Sequence, residues 1–397
     1  MLLHFSFFST ANMNYQDLSV EEIKSEINRL KKLSADYKNE EQGVKLTLNS
    51  IYGALGNQYF ACFNPEVAES VTLQGQDLIK FAERVVNKYF HEHWHLDTEL
   101  HEKIGVRNVR PVTGEMVIYV DTDSNYVNFG NVTASCEFDC EPLELILNID
   151  KHRLAEYLKK CLDVYAKKWN TENYQDFELE AISRNAVFLG KKKYIVNLTY
   201  EAPGKHYEDL SRIKPTGIEI VQGGTPPFAR EKLIFLLKHI FEKGRKFDIR
   251  TFVKLLREIK SEFKIQKPDA ISIGVGVNNI EKFILNDTKG FEVAKGCPMH
   301  VRAAGYHNYI LNNSRYKAKY SLIRSSEKIK YYFVAVNSEH ENNVFGYLNG
   351  SYPYEFAPPI DFDAQFNRTI LDPINRFIEV MGYQPLSPNL LLVSALF

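Results

Sequence analysis

Cysteine is sparse in this 397-residue sequence: five residues, at 62, 136, 140, 161 and 297, with no C-x-x-C pair. An odd, scattered set excludes a disulfide framework and points to a reducing, cytoplasmic setting. Cys136 and Cys140 lack a second ligand pair and read as ordinary thiols rather than zinc ligands. No apolar run approaches the ~20 residues that span a bilayer, so no membrane partner is expected. The opening "MLLHFSFFST" is apolar but short, with no basic region and no small-residue cleavage site, and residues 1–14 are set apart as a leader. Charge of one sign is also missing. The formal net charge is -1, against a protein that coats nucleic acid by bulk electrostatics. No internal repeat is visible.

The chain is long enough, at 44% hydrophobic residues, for two or three domains or subdomains. Aromatic residues make up 13% of it, which allows stacking but mostly serves cores. Ser19 with Glu22 forms a capping box, and residues 19–54 read as one long helix or two. Gly53 and Gly56 punctuate its end. Asn64-Pro65 opens a second helix whose stripe Val67, Val71, Leu78, Phe81 and Val85 predicts a core-facing side. Residues 115–129 read as strand, turn, strand, and residues 150–169 as helix. Two strands flank "GKKKY" within 177–200. The Gly/Pro-rich "TGIEIVQGGTPP" near Gly217 marks a boundary before a helix from Phe228 to Lys243. "YYFVAV" at 331–336 is a strand.

Two stretches suggest chemistry. In Val117–Asn128, "VIYVDTDSNYVN", Asp121 and Asp123 stand two apart at a tight turn and can project toward one point. Paired carboxylates repel, and a hard cation such as Mg²⁺ relieves that repulsion. A plain polar hairpin tip is the competing reading, and D-x-D occurs also in sugar-nucleotide transferases. The long charged helix before the motif argues against a transferase. In Lys45–Gly53, "KLTLNSIYG", Lys45, Asn49 and Tyr52 fall at i, i+4 and i+7 on one helix face. Lysine suits a phosphate, asparagine a base or sugar edge, and tyrosine offers a flat ring. Alone, an amphipathic helix with a solvated lysine and a half-buried tyrosine is the better explanation.

Together, K-x-x-x-N-S-x-Y-G and Y-x-D-T-D-S resemble two motifs of family B DNA polymerases. "GKKKY" at 190–194 resembles a third, and the wider texture is similar to the T-even-phage branch. The resemblance implies an α+β fold: an incomplete polymerase palm of antiparallel sheet and helices, a fingers helix, and a mostly helical thumb. The implied divisions are fingers helix 15–56, palm 57–215, and thumb 216–397 with a C-terminal tail. It implies Asp123 and Asp121 as catalytic metal ligands for two Mg²⁺ ions. Lys45, Asn49, Tyr52 and Gly53 would meet the incoming dNTP. Lys191, Lys192, Lys193 and Tyr194 would hold primer-template DNA, and Arg245 and Lys246 would add to the thumb's grip. Glu180 would lie near the metals. "VQGG" at 221–224 lacks a basic residue that the family often has there and leaves flexible backbone.

The family's D-x-x-S-L-Y-P-S motif, which brings a further metal aspartate, has no match here. The first fingers helix and the exonuclease region are also unmatched. The expectation is a C-terminal subunit of a split DNA polymerase, inactive until a complementary N-terminal chain supplies that aspartate. The alternative is a catalytically silent primer-template-binding module or a truncated remnant. "HEHWH" at 91–95 reads as an exposed helix terminus rather than a zinc site. Basic residues interleaved with tyrosine at 314–332 suit a DNA backbone or a solvated face equally. The apolar end "LLLVSALF" is a candidate sliding-clamp peptide or an ordinary tail.

Overall fold

Ser19 opens the first helix as its spacing predicts. The Ser19 hydroxyl accepts the amide of Glu22 at 3.3 Å, and the Glu22 carboxylate accepts the amide of Ser19 at 2.9 Å. In the computed structural model, which describes residues 19–335 and 342–391 apart from the side chain of Arg245, the helix is unbroken over Val20–Leu55 (α1). Its 36 residues extend about 54 Å, and none is buried. Gly53 lies inside the helix, which ends at Gly56. The chain forms two compact units. One holds the described residues up to Thr98 together with Asn108–Cys136, and the other holds Glu99–Arg107 and those from Glu137 onward.

In the first unit, α1 is followed by α2 (Pro65–Lys88), capped by Asn64, whose side-chain oxygen accepts the amide of Val67 at 3.1 Å. The buried face of α2 differs from the stripe expected. Val67 and Val71 are 44% and 53% exposed, and the core is reached by Ala68, Ile79, Ala82, Val85 and Val86. Beyond its first turns the helix meets the core with its C-terminal half, so only Val85 of the predicted set is deeply buried. "HEHWH" continues α2 as a wider turn and then a tight one. Within it Trp94 is fully buried and its indole N–H donates to the Ser135 hydroxyl at 3.2 Å. Tyr89, Phe90 and Met116 complete this core, with Phe90 edge-on to Phe129 at 5.5 Å. On it lies the hairpin of β1 (Val117–Asp121) and β2 (Ser124–Val127).

The second unit carries α3 (Ala155–Lys168) and a four-stranded antiparallel sheet: β3 (Ala181–Gly190), β4 (Lys193–Glu201), β5 (Lys205–His206) and β6 (Arg212–Thr216). β4 is central; it pairs with β3 on one side and with β5 and β6 on the other. Helices α4 (Pro227–Lys243) and α5 (Ile249–Phe263) follow. The buried positions of α5 include Phe252, Leu256, Ile259 and Phe263, at helical spacing. They join Leu233 and Leu236 of α4 and Phe366, Ile370 and Ile374 in the main core. Each such side chain contributes about 1.5–3 kcal/mol by leaving water. Lys260, on the same face, is 5% exposed; its ammonium meets the Asp363 carboxylate at 2.9 Å.

A three-stranded sheet of β7 (Ile273–Gly276), β8 (Lys328–Phe333) and β9 (Val344–Leu348), in the order β9-β8-β7, packs on α6 (Met299–Asn312). His307 of α6 is 2% exposed and packs beside Phe345 of β9 and Phe356. Its Nε2–H donates to the carbonyl of Ser321 at 3.2 Å. Burial among aromatics disfavours the imidazolium and lowers its pKa from 6.5 to about 4. The unfolded chain therefore binds a proton that the folded one refuses between those values, and stability falls as pH drops through that window. The loss is at most about 3 kcal/mol. Urea melts at pH 7 and pH 4.5 are expected to show it, and His307→Gln is expected to flatten the difference; an equal slope in the variant would assign the acid sensitivity elsewhere.

Candidate functional site

The hairpin tip is a tight structure. Asp121 pairs with Ser124, leaving Thr122 and Asp123 as the turn. The amide of Asp123 donates to the carbonyl of Asp121 at 2.7 Å, and Thr122 has φ +56. A bond two residues apart across a positive φ is a γ-turn of the rarer, strained kind. A β-branched residue in that region is unusual, and such strain clusters at functional sites. Asp121 is half-buried and Asp123 exposed. The Thr122 hydroxyl donates to Asp121 at 3.1 Å and the Ser124 hydroxyl to Asp123 at 3.3 Å. Tyr119 and Tyr126 sit edge to face at 5.4 Å across the strands behind the tip.

A feature not evident in the sequence anchors this hairpin. The side-chain oxygen of Asn87, near the end of α2, accepts the amides of Met116 at 3.1 Å and Val117 at 3.3 Å. It satisfies two backbone donors where β1 begins. The sole hint in the sequence is a polar residue beside the buried Val85 and Val86.

Lys45 and Asn49 are exposed on α1, and Tyr52 is 46% exposed. The Tyr52 hydroxyl is 2.8 Å from that of Thr72 on α2. Tyr52 and the hairpin are thus tied to the same helix, at residues 72 and 87, about 22 Å apart along its axis. At Gly53 a Cβ would have open space within 4 Å. A hard cation suits the oxygen donors of Asp121 and Asp123 in kind but not in number. Among the described residues no group of three or more His, Cys, Asp or Glu is placed to hold a metal. That holds for the "HEHWH" histidines too; His91 instead bonds through Nε2 to the carbonyl of Gly114 at 2.8 Å.

In the second unit, Lys191 and Lys192 form the turn between β3 and β4, and all three lysines of "GKKKY" are exposed. Tyr194 is the second residue of β4, with its ring 5.6 Å from that of Phe188. Lys192 has φ +58, and Gly217, which follows β6, passes directly against it. A Cβ built on Gly217 would lie 1.9 Å from the carbonyl oxygen of Lys192, and Gly217 itself has φ +63. The glycine that reads in sequence as a boundary is therefore the backstop of the lysine turn.

"VQGG" is not slack either. The amide of Gly274 donates to the carbonyl of Gly224 at 2.9 Å, and Arg230 donates to the carbonyl of Gln222 at 3.0 Å. The expectation of flexible backbone is corrected by this pairing. Lys246 is exposed in the tight turn Gly244–Lys246 after α4; the side chain of Arg245 lies outside the described residues. Glu180 is exposed in an extended segment, and Cys136 is buried with its thiol against the carbonyl of Val132. The leader and residues 392–397 of the tail also lie outside the described residues. No helix among the described residues is long and apolar enough to cross a membrane.

Long helices with small antiparallel sheets, in which two hairpins bear carboxylates or lysines at their tips, make this an α+β fold of the kind found in polymerase fragments. Residues 20–140, which contain α1, α2 and the carboxylate hairpin, match DNA polymerase family B. The chain is 24% identical over 289 residues to the DNA-directed DNA polymerase of Escherichia phage RB69 and 24% identical over 282 residues to that of Enterobacteria phage T4. Those matches cover 66% and 65% of this chain and 28% of each relative. A DNA polymerase of Pyrococcus glycovorans is 24% identical over 243 residues, covering 61% of this chain and 24% of that one. Residues 20–140 thus match DNA polymerase family B, the chain is similar to the T-even phage polymerases, and it spans little more than a quarter of the length of those relatives.

Gly217→Ala is expected to lower stability by about 2 kcal/mol or more, because a left-handed backbone and a backbone clash are both imposed. Chemical denaturation of the purified variant measures it. An unchanged midpoint would show that the lysine turn does not depend on this contact.

Proposed function

We propose that the chain is the end of the fingers, the palm and the thumb of a DNA-directed DNA polymerase, with residues 15–56, 57–215 and 216–397 in those roles. The observation that carries this reading is the carboxylate hairpin, held by α2 within the segment that matches family B. In this reading the reaction is attack of a primer 3′-hydroxyl oxygen on the α-phosphorus of a dNTP, with pyrophosphate leaving. Lys45 places a point charge for the triphosphate. Asn49 and Tyr52 border the nascent base pair, and the bare surface at Gly53 lets it approach. Lys191, Lys192 and Lys193, with Tyr194, bear on the primer backbone, and Arg245 and Lys246 on product duplex. The two-Mg²⁺ chemistry that the resemblance implies needs more carboxylates than Asp121 and Asp123. We assign the missing one to a complementary N-terminal polymerase chain.

Primer extension with Mg²⁺ and dNTPs tests this. The chain alone is expected to bind primer-template without extending it. Extension is expected once a polypeptide carrying a D-x-x-S-L-Y-P-S segment is co-expressed, and Asp123→Ala should then abolish it, a loss of about 10³-fold or more. Robust synthesis by the chain alone would overturn the need for a further carboxylate. Binding that survives Asp123→Ala, with no synthesis in any combination, would mark a silent DNA-binding module.

A further inference from the structure

Helices α4 and α5 run antiparallel. Phe228, near the start of α4, lies 5.7 Å from Phe263 at the end of α5, and His239 lies 6.1 Å from Phe252 at the other end. Their inner sides join the main core. Between them a groove of about 370 Å³ is left, floored by Ile234, Phe235, Leu255 and Ile259. Phe235 is 48% exposed, although Leu236 and Leu237 beside it are buried. Covering that ring would remove apolar surface from water. The rim is acidic: Glu231, Glu258 and Glu262 border the groove, and all three are exposed. Lys232 meets Glu262 at 2.6 Å and Glu231 only at 3.9 Å, so its charge mainly offsets Glu262. Glu258 enters no ion pair among the described residues. Lys238, seven residues along α4 from Glu231, borders the opposite end.

This chemistry says what fits. Three carboxylates repel a phosphate backbone, so the groove is not a nucleic-acid face. A furrow between two helices accepts the side-chain ridge of a third, read through apolar anchors three and four residues apart. From Glu231 to Lys238 the groove runs about 10 Å, two helical turns. We propose that the groove between α4 and α5 docks a short amphipathic helix of a partner protein. That helix is apolar toward Phe235, carries lysine or arginine on the flank that meets Glu231 and Glu258, and has a carboxylate at the end that meets Lys238. The unlike ends of the groove set its direction. The surface buried is small, so the contact is reversible and its selectivity comes from charge. The inference stands on the groove itself and does not rest on the polymerase reading.

The test uses the full chain and two designed three-turn helical peptides with the same leucine-phenylalanine face, one with lysine on its flanks and one with glutamate. At low ionic strength the lysine peptide is expected to bind at least about tenfold more tightly than the glutamate peptide. The double variant Glu231→Lys, Glu258→Lys should invert that preference, and Phe235→Asp should abolish binding of either. Each of these side chains is exposed, so the fold is expected to survive, checked by an unchanged melt. Should Phe235→Asp misfold, hydrogen exchange of the intact chain serves instead: the lysine peptide must slow exchange in α4 and α5 and leave α6 unchanged. Equal affinity for both peptides, binding of neither, or binding that survives Phe235→Asp in a folded chain would overturn the proposal. So would a short DNA duplex that displaces the lysine peptide, a dimer of this chain that Phe235→Asp dissolves, or tighter peptide binding once residues 392–397 are deleted, since each gives the groove a different occupant.

Discussion

A two-stranded ribbon is marginal in water by itself, yet a pair of carboxylates is useful only if their positions are held. The bond from Asn87 to the amides of Met116 and Val117 is where this constraint is met. It fixes the entry of β1 onto α2, and the buried Trp94, Phe90 and Met116 fix α2 against the ribbon. The strained turn at Thr122 can then present Asp121 and Asp123 in one arrangement. Without the anchor, strain at the tip would relax by fraying the hairpin.

The second hairpin solves the same problem by steric means. Lys191 and Lys192 repel each other at the tip of a turn, and Lys192 takes a left-handed conformation. Close approach of Gly217, possible only without a side chain, closes the turn from behind as β6 pairs with β4. The central place of β4 in the sheet extends that rigidity to Tyr194. In both hairpins a charged tip is supported by a neutral contact on the backbone behind it. The chemistry is therefore free to vary in solvent exposure without moving the scaffold.

Local chemistry was legible in the sequence wherever it depends on near neighbours. The capping box of Ser19 and Glu22, the Asn64-Pro65 start, and the strands around "DTDS" and "GKKKY" all formed as their spacing predicts. The motif reading also led to the family that residues 20–140 match. The face of α2 was misread because periodicity shows a stripe, not which length of it is covered; Val67 and Val71 keep the period and stay in solvent. "VQGG" was misread because a glycine pair signals permissive backbone equally when it is free and when another backbone presses on it, as Gly274 does on Gly224.

The sequence by itself determined where helices and hairpins begin and which side chains stand at their tips, since each follows from dihedral preference and residue spacing within a few turns. Only the tertiary structure decided that Asn87 holds the carboxylate hairpin, that Gly217 backs the lysine turn, and that α1 buries none of its residues among the described ones. Those outcomes depend on contacts between residues 25 or more positions apart in the chain, and on contacts not made. No local propensity encodes them.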